Sequence, residues 1–405
     1  MSKALKWSVI MLSLAAVLFV AAGSLVVRAS NNDGAYRQIG VYSEVLSRIR
    51  SEYVEEPNMA SVTDGALHGL LESLDANSSY LSPEQYKTFK AHPKSGKADI
   101  GAAVSKRFGY AAVIAVIPGG PADKAGVQNS DIIEAIEGKS TRDLSLAEIH
   151  EILSGQQGST VSMSVVRARR SEPQKISITR DVVAIPPVAE RVMPDGIGYI
   201  KSDTLVKGKS QEIASKVKAL EKQGAKKLLL DLRNCAEGDE EEGVAVANLF
   251  LNHGTIGYVQ GQKYPKQVFN ADPQKTITKL PMVVLVNRGT AGPAEVVAAA
   301  IQDNGRGDLV GDKTFGVGSI SKVIEVPDGS ALILSIAKYY TPSGKAIADA
   351  AVTPNIVVAD NDDDAALPDD EDNTAPADQD KKIEQQKEDQ QLHKGIEVLE
   401  NRKPA

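Results

Sequence analysis

From Ser210 to Asp303 the chain alternates between two hydrophobic periods, and this alternation restricts the fold more than any other feature. Apolar residues recur at helical spacing over Ser210 to Gln223, Glu240 to Leu251 and Pro293 to Asp303. Short β-type runs lie between them at Leu228 to Leu232 and Met282 to Val286, with Gly224 as a helix stop. Strands separated by helices are joined by crossovers, which predicts an α/β core with a largely parallel sheet. Ligands of such sheets lie beyond the carboxyl ends of the strands, here the loops Asn234 to Asp239 and Arg288 to Ala294. A Pro327-Asp328-Gly329 turn then joins two strand-like runs, Ser321 to Val326 and Ala331 to Ile336.

Upstream the texture differs. Between Ala98 and Arg180, β-type runs at Ala111 to Ile117, Ile132 to Ile136, Val161 to Val166 and Ile176 to Thr179 are separated by Gly-rich turns. One helix, Ser145 to Leu153, interrupts them and carries Leu146, Ile149 and Leu153 on one face. Such a stretch predicts a compact binding module. Residues 36–91 read as helical, with Val41, Val45, Ile49 and Tyr53 at helical spacing and Ser82-Pro83-Glu84-Gln85 as a capping box with proline at the first position.

The two ends differ from the body. Trp7 to Val27 is a run of 21 uncharged residues behind Lys3 and Lys6, long enough to span a bilayer with a cytoplasmic amino terminus. The small residues before Ser30 also fit a cleaved signal peptide, and either reading exports the remainder. Residues 360–380 hold ten acids and no Lys or Arg, a composition that predicts disorder, and 381–403 offer one weak apolar stripe of Leu392, Ile396 and Leu399. The expected divisions are 1–30, 31–95, 96–183, 184–358 and 359–405.

The formal net charge of −7 sits mostly in that tail, because residues 360–405 carry 15 acids and 6 bases. A nearly neutral body gives little attraction for phosphate backbones, so no nucleic-acid partner is expected. Cys235 is the only cysteine, and the five histidines show no ligand spacing, so neither a disulfide, a metal nor another cofactor is expected.

In order along the chain, several motifs resemble the carboxyl-terminal processing proteases, exported serine peptidases with a PDZ domain ahead of an α/β protease core. The carriers are Leu71-Glu72-Ser73-Leu74-Asp75 and Gly119-Gly120-Pro121-Ala122-Asp123-Lys124-Ala125-Gly126 in the first half. In the core they are Gly196-Ile197-Gly198-Tyr199-Ile200, Leu230-Asp231-Leu232-Arg233-Asn234, Asn287-Arg288-Gly289-Thr290-Ala291 and Thr314-Phe315-Gly316. The resemblance implies an α/β protease-like core, an inserted β-sandwich-like PDZ domain and an N-terminal helical module.

That family's chemistry needs a serine hydroxyl and a lysine amine that takes its proton. The resemblance puts the nucleophile three residues after Gly289, where this chain has Gly292. It puts the lysine at Val317 and the glutamine that orients it at Ser321. The loop shaping the oxyanion pocket reads Cys235-Ala236-Glu237-Gly238, and a carboxylate there opposes a developing negative charge. The expectation is a non-catalytic pseudoprotease; the alternative is an active endopeptidase using displaced hydroxyls such as Thr290, Ser319 and Ser321.

The PDZ resemblance implies capture of protein or peptide carboxyl termini by the loop Asp99-Ile100-Gly101-Ala102 and the helix face of Ile149 and Leu153. Asp99 itself would repel a terminal carboxylate if turned inward, and the other reading is a PDZ fold that docks on the core. The partners implied are chain ends, an active protease or another envelope protein. The expected place is the periplasmic side of a bacterial envelope, anchored at the inner membrane or released after signal cleavage.

Overall fold

The computed structural model describes residues 37–91, 98–107, 109–167, 172–359 and 390–401. The apolar run within 1–30 and the acidic stretch 360–380 lie outside the described residues, and among the described residues no helix is long and apolar enough to cross a membrane. The chain divides into two compact units after Leu67. The first contains helix α1 (37–52) and most of α2 (Met59–Glu72).

The stretch expected as one helical module is therefore split. After α2 comes strand β1 (Ser79–Leu81), which pairs with a core strand, and then α3 (Pro83–Ala91). The expected capping box is present: Ser82 N donates to Gln85 Oε1 at 2.7 Å, and Gln85 N to Ser82 Oγ at 3.4 Å.

The PDZ domain runs through β2 (Ala102–Arg107), β3 (Tyr110–Val116), α4 (Pro121–Lys124), β4 (Ile132–Ile136), β5 (Lys139–Ser140), α5 (Leu146–Leu153), β6 (Thr160–Val166) and β7 (Gln174–Thr179). Its antiparallel sheet is ordered β2-β3-β4-β6-β7, so β2 is an edge strand. Helix α5 starts at Ser145 in a capping box with Glu148, and its apolar face fills the domain core.

The second unit continues through β8 (Ala189–Met193), β9 (Ile197–Lys201), β10 (Thr204–Leu205), α6 (Lys209–Lys222), β11 (Lys227–Asp231), β12 (Glu237–Gly238), α7 (Glu240–Phe250), β13 (Thr255–Gln260) and β14 (Gln267–Asn270). It ends with β15 (Met282–Val286), α8 (Pro293–Asp303), β16 (Asp308–Gly311), β17 (Ser319–Glu325), β18 (Ala331–Tyr340), α9 (Ile347–Ala350), β19 (Ile356–Val357) and α10 (390–401). The central sheet is ordered β19-β16-β15-β11-β9-β8, parallel except for β8 at one edge.

Strand β15 explains why this sheet lies in the middle. All five of its residues are buried, as expected of a parallel strand covered on both faces. Met282, Val284 and Val286 face the cluster made with α6, α7 and α8, whereas Val283 and Leu285 join Leu229, Ile197 and Leu399 on the opposite side. That opposite face is closed by α10, where the sequence alone predicts only a weak tail helix. It is packed so closely that a Cβ at Gly395 would lie 2.8 Å from Leu285 Cδ2. Tertiary packing of an amphipathic face supplies what the local sequence does not.

Candidate functional site

The site forms where β11 and β15 end side by side, as the topology predicts. The loops after the two strands are laced together by amides. Asn234 N donates to Asn287 Oδ1 at 3.0 Å, and Asn287 Nδ2 returns a bond to Asn234 Oδ1 at 2.8 Å. Gly289 N also donates to Asn287 Oδ1, and Ala291 N to the Cys235 carbonyl at 3.0 Å. Asn234 adopts φ 60°, a left-handed conformation that asparagine tolerates better than most residues.

At the start of α8 stands Gly292, with φ 57° and ψ −120°. This backbone is strained for any residue with a side chain, and it belongs to a sharp strand-to-helix turn of the kind that presents a nucleophile. A Cβ built there would approach nothing closer than the Ala236 carbonyl oxygen at 3.9 Å. The turn thus has the conformation and the room, but no oxygen.

Opposite lies the turn of residues 314–317, fastened to α8 by Glu295, a residue that inspection of the sequence missed. Its fully buried carboxylate accepts from Gly292 N at 3.0 Å, Gly316 N at 2.8 Å and Val317 N at 2.7 Å, and from the Thr314 hydroxyl. Burial raises its pKa to about 7, although all four donors pull the other way. A Ser or Thr three residues before Glu295 would have announced a capping box, but position 292 is glycine and gives no such signal.

Val317, at the position expected for a base, supplies hydrocarbon instead. It packs in a small apolar cluster with Ala103, Ile114, Ala236, Ala291 and Phe315. Ala103 and Ile114 come from PDZ strands β2 and β3, so the PDZ domain lies directly on this part of the core. The fit is close: a Cβ at Gly289 would sit 3.1 Å from the Ile114 carbonyl oxygen. Ser321, the third expected relay position, is exposed on β17 opposite Ser335.

The displaced hydroxyls have other work. Thr290 Oγ1 is fully buried, donates to the Leu232 carbonyl at 2.8 Å and accepts from Asn287 N. Ser319 Oγ accepts from Asn77 Nδ2 at 3.0 Å. Among the described residues neither these two nor Ser321 bonds a Lys or His. Cys235 belongs to the main core, where burial, then Asp203, Asp231 and Glu237, push its thiol well above the ordinary range. Glu237 pairs through β12 with Thr204 on β10.

Asp231 and Arg233 form a two-pronged ion pair, at 2.9 Å from Nε and 2.6 Å from Nη2, and Tyr199 donates to the same carboxylate at 2.8 Å. Burial opposes the charge on Asp231, but the guanidinium outweighs it and holds the carboxyl below its usual range. Arg233 also reaches Gln391 of α10, so this network anchors the closing helix.

In the PDZ domain the residues expected to meet a peptide are placed as follows. Ile100 and Ile149 are fully buried and Leu153 is 2% exposed, all within the domain's own core. Asp99 does turn inward: its Oδ1 accepts from Gly101 N at 3.0 Å and its Oδ2 from Ser154 Oγ at 2.8 Å. The loop amide at Gly101 therefore already holds a carboxylate, one belonging to the chain itself. Ala102 begins β2, and two residues on, the Val104 carbonyl is bonded by His150 Nε2 of α5 at 3.0 Å. This contact ties the helix to the edge strand.

Comparison with known proteins agrees with this architecture. Residues 196–358 match peptidase family S41, and residues 113–167 match a PDZ domain. The carboxy-terminal processing protease CtpA of Bacillus subtilis is 32% identical over 87% of this chain and 76% of its own length. The carboxyl-terminal-processing protease of Picosynechococcus is 34% identical over 76% of each chain. Among solved structures, a photosystem II D1 C-terminal processing protease superposes with a TM-score of 0.65 at 26% identity, covering 78% of this chain and 92% of that one. With the PDZ domain, the parallel core and the strand-to-helix turn in place, the chain belongs to the carboxyl-terminal processing protease family.

Proposed function

We propose that this chain is a catalytically silent member of its family that binds the carboxyl termini of other proteins on the outer side of a bacterial cytoplasmic membrane, reached through the segment 1–30. One observation carries the reading: the turn that should present a nucleophile ends in Gly292, and the position facing it for a base is Val317. Acyl transfer by this family's route needs an attacking oxygen and a group to take its proton, and a hydrogen and an isopropyl group do neither. The backbone that would orient them is retained, with four bonds to Glu295 holding the two positions in register.

Chain-end binding is supported by the PDZ domain and by family membership. The partner is an envelope protein or an active protease of the same compartment. The test incubates the purified chain with an unfolded protein and with peptides carrying apolar tails. The expected outcome is binding without new termini in mass spectra and without labelling by serine-reactive probes. Cleavage that survives removal of every contaminating protease would overturn the reading.

A further inference from the structure

The near-neutral total charge of the body hides a division between the two edges of the central sheet. Lysines gather at the edge where β9, β11 and β15 begin. Lys218 and Lys222 lie one turn apart on the outer face of α6, away from its buried Ile213, Val217 and Leu220. Gly224 stops the helix with φ 96°, and Lys226 and Lys227 follow at once, the latter opening β11. Lys279 enters beside them, because Leu228 N donates to the Pro281 carbonyl at 2.8 Å and Glu221 of α6 accepts from the Thr278 hydroxyl. Four of these five lysines are exposed and Lys227 is half-buried.

Lys216 of the same helix pairs with Glu190 at 3.0 Å, but among the described residues no carboxylate pairs with any of the five. The stretches that build this edge, 218–230 and 273–286, hold six lysines and one acid, Glu221, which is turned to Thr278. Asp195 brings a second acid, next to Gly196, whose carbonyl accepts from Lys226 N at 2.7 Å. The acidic stretch 360–380 is rooted at the opposite edge. Gln391 Nε2, in the first turn of α10, donates to the carbonyl of Val358, just past β19, at 3.1 Å, so the described residues on either side of that stretch meet there. Gln391 also accepts from Arg233, two residues beyond β11, at the carboxyl edge that carries the candidate site. Such a division of charge orients a molecule in a field, amino edge toward a negative surface and carboxyl edge away from it.

We propose, building on the reading that segment 1–30 holds the chain at a membrane, that the amino edge of the central sheet docks on the anionic headgroups of that bilayer. The candidate site then faces away from the bilayer, toward the compartment that holds its partners. Lysine suits such a surface, because its ammonium is a point charge on a flexible stem and meets a phosphate without a shaped pocket. Each lysine near an anionic leaflet favours contact about fivefold. That is a modest gain for a protein free in solution. A tethered chain stays at high effective concentration beside the surface, so a few such contacts suffice to set its orientation.

The test places the full-length chain in lipid nanodiscs with a fluorophore on Gln223→Cys, at the lysine edge, or on Lys313→Cys, at the carboxyl edge. Both positions are exposed, whereas the native Cys235 is buried and does not compete for label. Lipids spin-labelled at the headgroup quench a fluorophore that touches the bilayer. The label at 223 should be quenched in discs rich in phosphatidylglycerol and not in pure phosphatidylcholine, and the effect should fade as salt is added. The label at 313 should stay bright in both. Lys222→Gln, Lys226→Gln and Lys279→Gln combined should lower the ratio of docked to undocked chains by about 10²-fold, about fivefold for each charge. Quenching that is equal in the two lipids, or equal at the two labels, would overturn this inference while a chain retained in the discs leaves the membrane reading standing. A label at 223 that ignores lipid charge but responds to soluble polyglutamate would assign the surface to an acidic protein and overturn it as well. If the chain does not enter the discs at all, both fall.

Discussion

Gly292 in the core and Gly101 in the PDZ loop are both glycines with positive φ at turns where a ligand or a reacting group would be met, 57° and 74°. Their surroundings are opposite. A Cβ at Gly292 would find its nearest neighbour at 3.9 Å, whereas at Gly101 it would press on Pro121 Cδ at 3.2 Å and Val183 Cγ2 at 3.3 Å. The core turn is open: its sharp backbone stands with free space where a side chain would be. In the PDZ domain the reverse holds, since Asp99 bonds the Gly101 amide and His150 the Val104 carbonyl. The two turns thus differ physically: one leaves open space around a bare backbone, and the other has its amide bonded by a carboxylate of the same chain.

The largest expected effect comes from filling the open turn. Gly292→Ser together with Val317→Lys should restore labelling by a serine-reactive probe, and the pair should exceed either single change by about 10²–10⁴-fold, the usual contribution of a positioned base. If the double variant stays as silent as its parents, the turn is not poised in the way its backbone suggests.

Next comes the PDZ domain. Ile149→Ala should cost roughly 2–5 kcal/mol, because a fully buried side chain of the PDZ core is cut back. Hydrogen exchange should show β2 to β7 losing protection while the central sheet keeps its own. A surface-like cost below about 0.5 kcal/mol would mean that the residue lines an open groove after all.

The third prediction concerns Glu295. Its folded pKa of about 7 lies above the 4.5 of a free carboxyl, so folding favours the protonated form. This contribution is fully present below about pH 4.5 and is lost as pH rises through about 7, a change of about 3 kcal/mol from the shift. Denaturant titrations of the parent against Glu295→Gln should differ in slope over that window and run parallel above it.

The smallest effect belongs to His150→Ala, which removes one bond from helix to edge strand and should cost about 1 kcal/mol. It should also raise exchange at β2 amides selectively; uniform loosening of the domain would count against a latch between α5 and β2.

Legibility from sequence followed the range of the determining interactions. The bounds of β15 and α8 were readable to the residue, because a five-residue apolar run and a proline at the first helical position act locally. Strand β2 escaped notice since Ala102-Ala103-Val104-Ser105-Lys106-Arg107 is small and then charged, and only an edge position makes it a strand. The absent nucleophile and base could be read through motif spacing, but Glu295 could not, as its donors lie at 292, 314, 316 and 317 and no local pattern joins them. The apolar stripe on α5 was legible too. That it faces its own core depended on β2 lying alongside, which is a tertiary fact.

The close seat of Gly395 has a practical corollary for anyone shortening this chain. A truncation ending near Val358 would leave Leu229, Val283 and Leu285 as an oily flank open to water, an invitation to self-association. The last helix is the sheet's second roof, and any tag fused behind it must leave that roof in place.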